Sequence, residues 1–156
     1  MKTRRDALRT LGAGALMLSP LVATAQSAKP LAIVVYKTPT CGCCGDWVKH
    51  LQDNGFTVTT HDVEDTGPYR QKYGIPERFG SCHTGVIAGY GIEGHVPAAD
   101  IKKLVATKPK ATGLAVPGMP VGSPGMEMGP RKDPFDVLLV KADGAASVFS
   151  SYNKKA

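Results

Sequence analysis

Three cysteines in four residues, Cys41-Gly42-Cys43-Cys44, separate a continuous apolar run, Leu31 to Tyr36 (LAIVVY), from a helical pattern over Asp46 to Gln52. This order constrains the fold more than any other feature, because it sets the thiols on a strand-to-helix turn. At a helix N-terminus the unpaired backbone N–H groups and the helix dipole favour thiolate over thiol. Ionised sulfur serves two chemistries. Cys41 and Cys44 have the C-x-x-C spacing of a redox dithiol. Cys41 and Cys43 have a C-x-C spacing that suits thiolates bridging metal ions. A c-type haem needs His directly after C-x-x-C, and Gly45 stands there.

The run LAIVVY reads as a central strand covered on both faces. Trp47, Val48 and Leu51 form the apolar stripe of the helix, which Gly55 ends. Phe56 to Val63 alternates and reads as a second strand, completing a βαβ unit with a right-handed crossover. A short helix over Pro68 to Tyr73 and a turn at Gly80 to Cys82 follow. A third strand then spans His83 to Gly89, with a tight turn at Tyr90-Gly91 and a fourth strand over Ile92 to His95. Val96-Pro97 opens another helix, with Ile101, Leu104 and Val105 facing inward. Gly113 to Pro134 is rich in Gly and Pro and lacks a period. Structureless loops of that length are unusual in compact domains and point to function. Asp136 to Lys141 and Ala145 to Tyr152 read as a hairpin turning at Ala142-Asp143-Gly144. The order is α/β, that of a thioredoxin-like βαβ-ββα core with a Gly/Pro/Met-rich loop and an added C-terminal β-hairpin. In such a core the third strand returns beside the first. The turn carrying Cys82 should therefore approach the N-terminus of the first helix.

Residues 1–25 read as a cleaved leader. Lys2, Arg4, Arg5 and Arg9 precede an apolar stretch, Leu11 to Val22, that is too short to span a membrane, and Ala23-Thr24-Ala25 supplies the cleavage site. Thr3-Arg4-Arg5 also resembles a twin-arginine signal. Residues 26–156 are then a single domain in an extracytoplasmic compartment, most simply a bacterial periplasm, with no stable membrane span after cleavage. Half of the formal charge of +6 belongs to the leader, where four basic residues outweigh Asp6. No basic stripe with aromatic platforms is present, so the reading has no nucleic-acid partner. All four cysteines follow the leader. A disulfide framework spreads its cysteines to staple distant segments, and three within four residues staple nothing.

The segments Cys41-Gly42-Cys43-Cys44, Ser81-Cys82-His83-Thr84, Gly94-His95-Val96-Pro97 and Pro117-Gly118-Met119-Pro120 through Gly122-Ser123-Pro124-Gly125-Met126-Glu127 occur in that order. Together they resemble the CopG-type family of small periplasmic CxCC metal-binding proteins found with bacterial copper-resistance systems. The resemblance covers essentially the whole chain after the leader. It implies a thioredoxin-like domain that binds copper through its cysteines. Thioredoxins themselves usually carry a cis-proline before the third strand. Here Cys82-His83 stands in that place and Cys43 sits inside the dithiol, which argues against simple oxidoreductase work.

Cu(I) is soft and prefers thiolate and thioether sulfur. Cys41, Cys43, Cys44 and Cys82 offer four thiolates. Adjacent side chains in C-x-C-C diverge, so they serve several bridged ions better than one tetrahedral ion. The expected cofactor is copper as Cu(I), in a sulfur-bridged polynuclear cluster. Zinc in a closed four-cysteine site is the rival. Outside the leader, every methionine (Met119, Met126 and Met128) lies in the Gly/Pro-rich loop. That distribution suggests a soft-metal lid, with Met126 foremost, against a bland reading in which they pack an exposed edge. His83 follows Cys82 and is the best imidazole candidate, although neighbours along a strand point oppositely. His95 reads as structural. His50 falls on the exposed side of the first helix and His61 on the polar face of the second strand, with no role expected for either. Asp46 and Glu127 read as a helix-start charge and a loop charge. The expected function is that of a periplasmic copper-binding protein that sequesters Cu(I) or hands it to other periplasmic copper-handling proteins, contributing to copper resistance. The alternative is a thiol–disulfide oxidoreductase in which Cys41 attacks and Cys44 resolves. Whether the chain is an enzyme stays open between these two.

Overall fold

The computed structural model describes residues 30–154; the leader expected over residues 1–25 lies outside them. The strands are β1 (Leu31–Lys37), β2 (Phe56–Asp62), β3 (His83–Ile87), β4 (Tyr90–Glu93), β5 (Gly113–Ala115), β6 (Phe135–Val140) and β7 (Ala146–Tyr152). The helices are α1 (Gly42–Asp53), α2 (Gly67–Lys72) and α3 (Ala98–Thr107), with a 3₁₀ turn over Glu77–Phe79. Among the described residues the strands form one seven-stranded sheet in the order β2-β1-β3-β4-β5-β6-β7. The strands β2, β1, β3 and β4 are the thioredoxin-like core: β2 runs parallel to β1, β3 antiparallel to β1, and β4 antiparallel to β3. The remaining three extend the sheet past β4. Among the described residues no helix is long and apolar enough to cross a membrane.

One face of the sheet carries the main core. Ile33 and Val35 alternate inward from β1, as period-2 geometry requires, and meet Trp47 and Leu51 of α1. Ile101 and Leu104 of α3 close the same core beside Ile92 and Leu114. The Trp47 indole N–H donates to the Val96 carbonyl at 2.9 Å, which satisfies its polar atom at the centre of the apolar mass. The other face of β1 is covered by α2, where Tyr69 stacks on Tyr36 with ring centroids 3.8 Å apart.

Three local expectations are corrected. Helix α1 begins at Gly42, with Cys41 as its N-cap, so Cys43 and Cys44 lie within its first turn. Two glycines and three cysteines carry no helical periodicity, which hid that turn from the pattern. The β3–β4 reversal is at Ala88-Gly89, both at positive φ as a two-residue hairpin turn demands, and not at Tyr90-Gly91. Gly91 is instead a strand residue, where a Cβ would lie 3.0 Å from Ile75 and 3.1 Å from Tyr73. The start of the long Gly/Pro segment is a buried strand, β5, pairing β4 with β6. Three residues are too few to show a period, and Gly113 reads as loop although it meets the Gly91 backbone across the ladder.

Two polar contacts hold the elements that carry the cysteines. Arg70 and Glu93 are both buried and paired at 3.0 Å. Glu93 also accepts from the Ser81 N–H at 2.6 Å and the Thr84 hydroxyl at 2.7 Å, while Arg70 donates to the Ser81 carbonyl at 3.0 Å. Both backbone groups of the residue before Cys82 are thus fixed by one ion pair. The second contact involves His50. Pro97 is the N-cap of α3 and offers no side-chain acceptor, and His50 Nε2 accepts the Ala98 N–H at 3.1 Å instead. His50 therefore has a capping role that its position on α1 did not suggest.

Removing one partner of a buried ion pair costs up to about 3–5 kcal/mol; without Glu93, Arg70 would keep only the exposed Glu77, at 2.6 Å, as its counter-charge. Glu93→Ala is expected to lose stability on that scale in chemical denaturation. The double change Arg70→Met with Glu93→Leu should recover much of the loss. An equal loss in the double variant would show that the stranded charge is not the cause.

His50→Ala should cost about 1 kcal/mol at neutral pH, the usual worth of an N-cap. Burial lowers the His50 pKa against the raising influence of Glu127 and Asp53. A lowered folded-state pKa means that this contribution is complete above about pH 6.5 and is lost as pH falls below it. The stability gap between wild type and His50→Ala should therefore narrow on acidification. A gap that does not change with pH would refute the cap.

Candidate metal centre

The β1–β3 register builds the site. Lys37, the last residue of β1, pairs with His83, the first of β3, so Cys82 sits beside the turn that leads into α1. That turn is short, and the Cys41 N–H donates back to the Thr38 carbonyl at 3.2 Å. The Sγ atoms of Cys41, Cys43, Cys44 and Cys82 all lie within 4.8 Å of one another. The expected approach of Cys82 to the CGCC segment is what the structure shows. Cys41 and Cys44 are joined as a disulfide, while Cys43 and Cys82 are free. Cys43 Sγ is 3.5 Å from Cys41 Sγ, and the fully buried Cys44 Sγ lies 3.7 Å from the Cys82 carbonyl oxygen. Burial, and then the neighbouring Cys43, push the Cys82 thiol above its ordinary pKa. A soft metal ion that binds there would displace this proton, as thiolate ligation requires.

Two imidazoles stand behind Cys82. His83 and His95 are both fully buried, with rings in edge contact at 5.0 Å between centroids, and Trp47 covers His83 at 4.3 Å. His83 Nε2 is 3.0 Å from the Gly94 carbonyl, and His95 Nδ1 is 2.8 Å from the Pro124 carbonyl. A carbonyl only accepts, so each of these nitrogens carries the hydrogen and the other nitrogen of each ring is a bare lone pair. Those two bare nitrogens, His83 Nδ1 and His95 Nε2, are buried without a hydrogen-bond partner. One ring nitrogen of His83, one of His95 and Cys82 Sγ all lie within 4.8 Å of one another. Burial, reinforced by His95, drives the His83 pKa down to about 3, and burial lowers that of His95. Cys82 precedes β3 and so escapes strand alternation, which is why it and His83 share a cluster. His95, read as structural, is only half satisfied.

The Gly/Pro-rich segment folds back over α1. A Cβ on Gly125 would lie 2.6 Å from the Trp47 backbone nitrogen and 3.0 Å from the Cys43 carbonyl, so the loop touches the backbone of the cysteine helix where only glycine fits. Backbone bonds from Gly122 to Met126, from Ser123 to Pro120 and from Met126 to Ser123 brace it. Met119 Sδ is 3.3 Å from Cys82 Sγ. The thiol contact thus belongs to Met119 and not to Met126, which is half-buried, while Met128 is 70% exposed. Glu127 accepts the Gly125 N–H and acts as a loop charge. His61 lies against Tyr36, away from the cysteines.

Four cysteine sulfurs, one thioether and two lone-pair imidazoles therefore meet at the N-terminus of α1. The set is soft on the Cys41–Cys44 side and of mixed nitrogen and sulfur character behind Cys82, a composition that suits copper and also admits zinc.

A family model described as a protein of unknown function, DUF411, matches residues 79–126, which carry Cys82, His83, His95, Met119 and Met126. No curated protein matches the chain. Two solved structures do, both over nearly their whole length. "Copper resistance protein copG- Form 1" is 54% identical with a TM-score of 0.76, covering 80% of this chain and 99% of that one. "Copper resistance protein copG- Form 2" is 54% identical with a TM-score of 0.75, covering 79% of this chain and 98% of that one. At that identity and coverage, the chain belongs to the CopG-type copper resistance family.

Proposed function

We propose that the protein binds Cu(I) through Cys41, Cys43, Cys44 and Cys82, holds more than one ion per chain, and sequesters copper or hands it on as part of copper resistance. The observation that carries this reading is the convergence of all four sulfurs within 4.8 Å at one helix start. Thiolates so close, with adjacent members on diverging directions, favour bridged ions over one closed tetrahedron. Met119, in contact with Cys82, adds a thioether. The leader-like residues 1–25 support export, and other periplasmic copper-handling proteins are the natural partners. The disulfide sets a condition. Two electrons and two protons, supplied by a dithiol reductant of the compartment, must convert Cys41–Cys44 to two thiols before all four can bind.

The same disulfide favours a second reading, thiol–disulfide exchange with Cys41 attacking and Cys44 resolving. Cys44 is fully buried, as suits a resolving thiol. Cys43, Cys82 and Met119 have no part in that reaction, which leaves copper binding the better account. Reduction of insulin by the dithiol form would favour the second reading.

The reduced protein is expected to take up more than one Cu(I) per chain in competition with bathocuproine, and Cys82→Ser to take up fewer. A plateau at or below one ion would overturn the polynuclear reading. Preference for Zn(II) over Cu(I) would overturn copper. Replacing Met119, Met126 and Met128 by Leu keeps side-chain volume and should cost less than about 1.5 kcal/mol of stability. Cu(I) affinity should fall by about tenfold, or about 1.4 kcal/mol, through loss of the Met119 thioether. Met119→Leu alone should account for the fall. Lower melting temperature with unchanged affinity would make the methionines packing only.

A further inference from the structure

The two bare imidazole nitrogens have no role in a site made of cysteines alone. Each is a lone pair sealed from water, and leaving such an acceptor unsatisfied costs about 1–3 kcal/mol. Their directions are not accidental. The Gly94 carbonyl fixes the hydrogen on His83 Nε2 and the Pro124 carbonyl fixes it on His95 Nδ1. Holding the far N–H on a carbonyl is how proteins orient an imidazole toward a metal. Here two rings are so held, each keeps one buried nitrogen without a partner, and each brings a ring nitrogen within 4.8 Å of the other's and of Cys82 Sγ. Neither bare nitrogen receives a hydrogen bond, and the one hydrogen of the Cys82 thiol is given to Met119 Sδ at 3.3 Å.

We infer that Cys82, His83 and His95 form a second, buried copper position that uses neither Cys41 nor Cys44 and therefore remains available when those two are joined as a disulfide. The inference rests on the copper reading and extends it. Two imidazoles and a thiolate are a recognised copper donor set. Cys82 belongs to both positions, since its sulfur lies within 4.8 Å of the other three sulfurs and of a ring nitrogen of each histidine. It is also the half-exposed member of the buried triad, so an ion enters past it. The consequence is a graded site. The oxidised chain holds one copper behind Cys82, and reduction of Cys41–Cys44 opens the sulfur positions in front of it.

The test uses the Cys43→Ser protein with its Cys41–Cys44 disulfide intact, so that Cys82 is its one free thiol. Cu(I) is supplied as the acetonitrile complex without thiol reductant. One ion per chain is expected, and X-ray absorption at the copper edge should show imidazole nitrogen together with one cysteine sulfur. His95→Gln and His83→Gln in the same background should weaken binding by more than about 100-fold, since even outer-shell changes cost about 10–100-fold. The absorption spectrum of the unmutated triad decides the matter if either glutamine variant fails to fold. Sulfur-only ligation, unchanged binding in His95→Gln, or no binding by the oxidised protein would overturn the inference and leave the two nitrogens to a buried water. Reduced wild-type protein is titrated in parallel. Binding there without binding in the oxidised form refutes only the second position, whereas binding in neither refutes the copper reading itself.

Discussion

The antiparallel pairing of β1 with β3 is the constraint on which the site depends. Lys37 opposite His83 puts the end of one strand and the start of the other at the same end of the sheet. The strand-to-helix turn and the segment before β3 then have no freedom to separate. In a sheet whose side chains alternate, a slip of one residue would turn Ile33 and Val35 out of the core and take Cys82 away from Cys41. The apolar burial of Ile33, Val35, Trp47 and Leu51 therefore fixes the sulfur geometry indirectly. Hydrophobic packing, with no ligand of its own, sets which thiols meet.

The buried ion pair of Arg70 and Glu93 refines that placement. Register brings Cys82 near, but the residue before it lies outside the ladder and needs its own anchor. Glu93 takes the Ser81 N–H and Arg70 takes the Ser81 carbonyl, so α2 and β4 grip the same peptide from two sides. Such a pair contributes little net stability against a well-packed apolar alternative. Its worth lies in position, because two charges with fixed hydrogen bonds tolerate one arrangement where apolar side chains tolerate several. The glycine contact at Gly125 plays the matching part on the other side, holding the methionine segment against the first turn of α1.

Much of this was legible in the sequence, for identifiable reasons. An apolar strand, a thiol-bearing turn and an apolar helical stripe define a βαβ unit, and the thioredoxin-like order that follows predicts where Cys82 must go. What stayed hidden depends on contacts between segments far apart in sequence. The free nitrogen of His95 is decided by the Pro124 carbonyl, and the work of His50 by the N-terminus of a helix that Pro97 cannot cap. The pairing of Arg70 with Glu93 exists only once α2 and β4 are placed together. Strand β5 is too short to carry a period, and its glycine, which a close approach of two backbones demands, looks like a loop residue. Met119 rather than Met126 meets the thiols because the loop turns sharply at Gly118-Met119, both at positive φ, a conformation that the local sequence does not announce.

Trp47 is fully buried in the core, with its indole against His83. It is also the chain's single tryptophan. All indole fluorescence of this protein therefore originates at the wall of its candidate metal centre, one ring away from Cys82. An ion that settled on His83 would bind a ring whose centroid lies 4.3 Å from that of the indole, and would change its emission. The protein thus carries an intrinsic optical probe beside its candidate metal centre, and filling of the proposed inner position would be readable in unlabelled material in real time.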